Sequence, residues 1–107
     1  MCITRWGAVF LSLALEKEFI KADIPNVKEE KINVFYNEEK LKKFFKADFV
    51  CFDKIIVEVK AQKIITNADL EQVRNYLSAT KKELAYLVNF GAPKLFYKRI
   101  INTQKSV

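Results

Sequence analysis

The chain is 107 residues long, half hydrophobic and 30% charged, with two glycines and two prolines; this suits one densely structured domain over residues 1–107 better than a low-complexity or disordered segment. Nineteen basic side chains against thirteen acidic ones leave a formal charge of +6. That modest surplus favours an anionic partner such as nucleic acid without identifying it, because solvated basic faces are common. The chain has no histidine, which excludes Ser-His-Asp and Cys-His mechanisms and His-bearing zinc sites and leaves carboxylates, lysine and tyrosine as catalytic groups.

The apolar run at residues 7–15 (GAVFLSLAL) is too short to span a bilayer and passes directly into EKEFIK, with no small-residue cleavage site. It reads as the start of a helix over residues 8–22, with Leu11, Leu15, Phe19 and Ile20 at helical spacing and an end before Pro25. Residues 31–36 (KINVFY) alternate as a strand, and residues 37–40 form a polar turn. Residues 44–52 and 55–61, rich in aromatic and β-branched side chains and parted by Asp53 and Lys54, predict a hairpin. Cys51 within it reads as a small core residue, and its distance from Cys2 suits a reduced, cytoplasmic protein better than a disulfide scaffold. The period then changes. Asn67 or Asp69 can cap a helix running to about Thr80, with Leu70, Val73 and Leu77 on one face. Residues 84–90 (LAYLVNF) predict a buried strand, residues 91–93 a turn, and residues 95–101 a last strand. The expected order is α-β-β-β-α-β-β.

The chemistry concentrates in residues 47–63, ADFVCFDKIIVEVKAQK. Residues two apart in a strand share a face, so Glu58 and Lys60 lie together while Val57, Val59 and Ala61 point the other way. A charged pair on an apolar strand is costly to bury unless it pairs or meets a metal. Asp48 joins the pair only in the right register: a two-residue turn at Asp53 and Lys54 puts it opposite Val59, whereas a three-residue connection or a bulge puts it opposite Glu58. In the second register two carboxylates can hold a hard divalent cation, Mg²⁺ or Mn²⁺, with the Val59 carbonyl and water as further ligands. Lys60 is then placed to orient a water or to offset charge developing on a phosphodiester. The alternative is a structural Glu-Lys pair beside an unrelated Asp.

The hairpin pattern of Asp48 followed ten residues later by Glu58-X-Lys60 resembles the PD-(D/E)XK enzymes. Within them the surrounding text resembles the GxxExxY family: ALEKEF at 14–19, KADFVCFDKIIVEVKA at 46–61, Gln72 with Tyr76, YL at 76–77, LVNFG at 87–91 and KRII at 98–101. The resemblance implies an α/β restriction-endonuclease-like αβββαβ core with an additional C-terminal strand, its mixed central sheet flanked by helices. It further implies Asp48 and Glu58 as metal ligands, Lys60 as catalytic lysine, and Gln72 and Tyr76 facing the site from the second helix. The i, i+4 spacing independently sets Gln72 and Tyr76 on one stripe, although a solvated Gln and a core-edge Tyr have the same spacing. Glu18 matches a recurrent family glutamate and is a possible further ligand, or an ordinary solvated helix residue. Ala8 and Leu11 stand where the family has the Glu and Tyr of its name, so the resemblance implies an atypical or truncated N-terminal region. The expected activity is metal-dependent hydrolysis of nucleic acid by a protein with no membrane segment. The alternative is a non-catalytic nucleic-acid or protein-binding module that keeps the fold.

Overall fold

The computed structural model describes residues 5–91 and 93–102, without the side chains of residues 5–8; Cys2 falls outside them. The elements are α1 (Arg5–Lys21), β1 (Asn26–Tyr36), β2 (Glu39–Cys51), β3 (Ile55–Lys60), α2 (Asn67–Thr80), β4 (Leu84–Asn89) and β5 (Phe96–Ile101). They follow the expected order. One five-stranded sheet holds β1 to β5 in sequence order, antiparallel except for the parallel β3–β4 pair, whose crossover is α2. The strand carrying Glu58 and Lys60 is therefore central.

Two apolar layers cover the sheet. On one face Val73 and Leu77 of α2, with Leu70 beside them, pack against Ile32, Ala47, Val50, Ile56, Ala85, Leu87 and Ile100. On the other, Leu15 and Phe19 of α1 pack against Phe49, Cys51 and Val57, with the Phe19 and Phe49 rings edge to face at 5.2 Å. Ile20 departs from the expected apolar stripe, at 64% exposure. Cys51 is a buried free thiol in this layer, as its surroundings in the sequence suggest.

The largest difference from the sequence reading is the first hairpin. It runs from Asn26 to Cys51, and its turn is the two residues Asn37 and Glu38, both in the left-handed region that tight hairpins require (φ 48° and 66°). In the added part of β1 the half-buried positions are Asn26, Lys28 and Glu30 while Val27 is exposed, and the added residues of β2 are exposed throughout, so no apolar alternation marks a buried face. Backbone pairing and the turn hold these residues as strand. The α2 boundary also differs: the N-cap is Thr66, whose side chain accepts from the Asp69 N–H while the Asp69 carboxylate accepts from the Thr66 N–H, a capping box.

Beyond Lys60, the end of β3 is clamped by β4. Asn89 is 1% exposed; its Oδ1 accepts from the Gln62 and Gly91 N–H groups (2.9 and 3.1 Å), and its Nδ2 donates to the Gln62 carbonyl (2.8 Å). A side chain thus continues a ladder that the backbone has left. A Cβ at Gly91 would collide with the Gln62 backbone, so only glycine fits. The NFG of LVNFG is the clamp that starts the path to α2. Asn89→Leu strands three backbone groups, the buried Gly91 N–H and the partly buried N–H and C=O of Gln62, and is expected to cost about 3 kcal/mol, with Gly91→Ala costing at least about 2 kcal/mol; urea unfolding midpoints of the two variants check this.

Candidate active site

β2 and β3 pair through Cys51↔Ile55, Val50↔Ile56 and Phe49↔Val57. The connection is therefore the three residues Phe52, Asp53 and Lys54, closed by a hydrogen bond from the Lys54 N–H to the Cys51 carbonyl, with Phe52 and Asp53 at φ 54° and 61°. This is the register in which the next rung would join Asp48 to Glu58. No such rung forms, and the ladder between β2 and β3 ends there.

The geometry at Asp48 explains why. Ala47 belongs to the α2-side layer and Phe49 to the α1-side layer, so the alternation of faces along β2 breaks at the residue between them. Opposite it on β1, Glu29 has φ 54°, while the flanking pairs Lys28↔Phe49 and Glu30↔Ala47 keep one register. The Asp48 side chain reaches across to β3, where its Oδ2 accepts from the Val59 N–H at 2.7 Å; Glu58 Oε1 in turn accepts from the Asp48 N–H at 3.3 Å. Two carboxylates thus replace two ladder bonds and hold the strands as a fork.

Both acids are partly buried, and burial pushes both carboxyl groups up. Glu58 rises to about 7, first from burial and then from the negative charge of Asp48, while the Asp48 N–H and the Lys60 ammonium pull the other way. At Asp48 burial is opposed by the Val59 N–H and Lys60, and Glu29 adds to the rise. Asp48 Oδ1 and Glu58 Oε2 have no hydrogen-bond partner among the described residues. A pair of close carboxylates with one free oxygen each, mutually repelling beside the Val59 backbone, is a donor set that suits a hard divalent cation. It contributes two acidic residues, and no cluster of three or more metal-ligating side chains occurs among the described residues.

Two clefts meet the fork. Glu58 and Lys60 open onto the α2 side, in a cleft that Gln72, Tyr76 and the hairpin residue Phe45 also line. Gln72 Nε2 donates to the Tyr76 hydroxyl at 2.9 Å, and the Tyr76 ring stacks on Phe45 at 3.9 Å. The helix stripe expected near Lys60 is there. Asp48 opens onto the α1 side, with Val59, Glu29, Lys28, Val9 and Ser12. Glu18 is exposed and lines neither cleft, so the structure does not bring it to the carboxylates. Sequence reading missed Glu29, which faces Asp48 through a positive φ that no residue pattern announces, and Phe45, the ring beneath Tyr76. Lys81, Lys82 and Arg99 border a separate cleft at the β5 edge.

Residues 8–100 match the profile of the PD-(D/E)XK nuclease superfamily, and the chain belongs to that superfamily. Its fold is similar to the crystal structure of SSO0001 (TM-score 0.62, 20% identity, covering 86% of this chain and 49% of that one). It is also similar to an alkaline exonuclease, LHK-Exo, from Laribacter hongkongensis (TM-score 0.57, 12% identity, 82% and 52% covered). The chain spans about half the length of these two neighbours. No curated protein matches it significantly.

The raised Glu58 pKa has a measurable consequence without metal. Between the ordinary value of 4.5 and about 7 the folded state holds a proton on Glu58 that the unfolded state has released, so stability falls as pH rises through this window and levels off above it. Glu58→Gln keeps an acceptor for the Asp48 N–H and removes the charge. In EDTA its urea midpoint is expected to drop less than that of the wild type between about pH 5 and 8, leaving it more stable at the upper end by on the order of 1 kcal/mol.

Proposed function

We propose that the fork is the active centre of a metal-dependent nuclease, hydrolysing phosphodiester bonds of nucleic acid with Mg²⁺ or Mn²⁺. The observation that carries the reading is the meeting of Asp48 and Glu58 across the end of a strand ladder, with Lys60 two residues beyond Glu58 on the same strand face. Superfamily membership supports it, as does the structural neighbour described as an alkaline exonuclease. Asp48, Glu58 and the Val59 carbonyl would hold the cation, which when bound supplies Lewis acidity and an acidified water. The chain's own groups do the rest. Lys60 places a fixed positive charge where the phosphoryl oxygens gain negative charge, and the Gln72–Tyr76 pair presents a hydrogen-bonded polar edge to the same cleft. Within the superfamily, the phrases KADFVCFDKIIVEVKA and LVNFG, with Gln72 and Tyr76 between them, favour the GxxExxY family.

A second reading rests on one feature. Among the described residues, the α1 side chains beside Asp48 are those of Val9 and Ser12, neither of which can add a carboxylate. A domain that keeps the fold to bind nucleic acid or protein without cutting it fits that lining.

The expected outcome is cleavage of DNA or RNA that needs Mg²⁺ or Mn²⁺, stops with EDTA and falls at least about a hundredfold in Asp48→Ala, Glu58→Ala and Lys60→Ala, with circular dichroism unchanged. Cleavage equal in wild type and Lys60→Ala would expose a contaminant. No cleavage, with no calorimetric heat of Mg²⁺ or Mn²⁺ binding, would select the binding-module reading.

A further inference from the structure

The outer half of the first hairpin is packed on one face only. Toward α2, Ile32 and Phe45 pair across the strands and join the core layer, and Leu41, Lys43 and Phe45 line the cleft there. Alternation along each strand turns the residues between them the other way: Lys31 and Asn33 on β1, and Lys42, Phe44 and Lys46 on β2. All five are exposed, so nothing among the described residues covers this face.

Three of the five are lysines and none is acidic. Lys31 stands directly opposite Lys46, and Asn33 opposite Phe44. Like charges at opposed positions destabilise an antiparallel pair, yet none of the three lysines forms an ion pair among the described residues. Lys31 instead holds its ammonium 4.8 Å from the centroid of the Phe44 ring, which is itself 52% exposed. A surface that served solubility alone would intersperse the two signs. This one keeps a single sign and tolerates cross-strand repulsion, which an anion laid across it relieves.

The length of the strip selects the anion. Lys42 and Lys46 lie four residues apart, about 13 Å along the strand, a span that a small anion does not bridge and that a polymer with a phosphate on every nucleotide does. The strip also runs toward the fork. Lys46 is two residues from Asp48, where burial raises the carboxyl and the Lys46 charge is among those that oppose the rise.

We infer that the face of the first hairpin turned away from α2 is a docking strip for the phosphate backbone of nucleic acid, with Lys31, Lys42 and Lys46 as its contacts, and that it leads the backbone to the Asp48 side of the fork. The inference rests on the reading of the fork as a phosphodiester-cleaving centre, and it names how that centre holds its polymer. Lysines that meet phosphates read no sequence, and single strands and duplexes both carry phosphates, so the strip supplies affinity without base preference.

The test is fluorescence anisotropy with the whole chain in EDTA. The probes are a labelled duplex DNA of about 16 base pairs, its single strand, and labelled poly-glutamate, over a salt series. Both nucleic acids are expected to bind, with affinity falling as salt rises. Lys31→Ala, Lys42→Ala and Lys46→Ala should each lower the salt slope by about 0.9 on the duplex and about 0.7 on the single strand, while Lys17→Ala on α1 should leave it unchanged. The triple variant should bind at least about tenfold more weakly. Lys42, the farthest of the three from the core, keeps the test readable if a change at either opposed lysine disturbs the pairing. No measurable binding, slopes that the lysine variants leave unchanged, or poly-glutamate bound as tightly as DNA would each overturn the inference. Metal-free binding separates this failure from failure of the nuclease reading. Metal-dependent cleavage with lysine-indifferent binding rejects the strip and keeps the nuclease; lysine-dependent binding without cleavage does the reverse.

Discussion

Everything at the candidate centre depends on one exchange of hydrogen bonds. A strand buried in a sheet must satisfy its N–H and C=O groups, and ordinarily the next strand does so. At Asp48 the backbone of β2 stops pairing with β3, and the two orphaned N–H groups, on Asp48 and Val59, are taken by carboxylate oxygens instead. The exchange serves both parties: the backbone stays satisfied, and two acids that would be costly to bury receive donors. It also ends the ladder between β2 and β3, since side chains take the donors that the next rung would have paired. One oxygen of each carboxylate is left without a hydrogen bond among the described residues at the point where the ladder ends.

The helices then divide the labour. On one side α1 supplies Leu15 and Phe19 to the layer beneath Phe49 and Val57. On the other α2 supplies Val73 and Leu77 to the core and turns Gln72 and Tyr76 outward to the cleft. Because α2 is the crossover between two parallel central strands, its position relative to Lys60 is set by the connection from Ala61 to Thr66, which the Asn89 clamp and the capping box grip at its two ends. The polar residues of the site thus sit on rigid elements whose supports are themselves buried or capped.

Much of this was legible in the residues. The face sharing of Glu58 and Lys60 follows from strand geometry alone, the need for a three-residue connection follows from parity, and Leu70, Val73 and Leu77 announce α2 by their spacing. What lay beyond reach is equally specific. In the added part of the first hairpin the half-buried positions of β1 are the polar Asn26, Lys28 and Glu30, and the β2 residues are exposed, so hydrophobic periodicity carries no information there. The Thr66 cap, by contrast, was within reach, since Asp69 three residues on completes a capping box with Thr66 and not with Asn67. The face switch at Asp48 and Glu29 is a backbone event in two non-Gly residues, and neither residue type signals it. Gln72 and Tyr76 had two readings of equal spacing; their direction is a property of the packed helix.

The turn between β2 and β3 shows where such a chain can vary in length. Deleting or inserting one residue among Phe52, Asp53 and Lys54 would either break the pairing or rotate β3 by one position, exchanging Glu58 and Lys60 with the valines that now face α1. The loss would be total at the centre although no centre residue had changed. At the opposite end of β2, around Asn37 and Glu38, the strands are exposed and anchor nothing in either layer. Among descendants of one such gene, length differences should therefore accumulate at the hairpin tip and be purged from the short turn, so that the spacing from Asp48 to Glu58 is inherited as strictly as the two acids themselves.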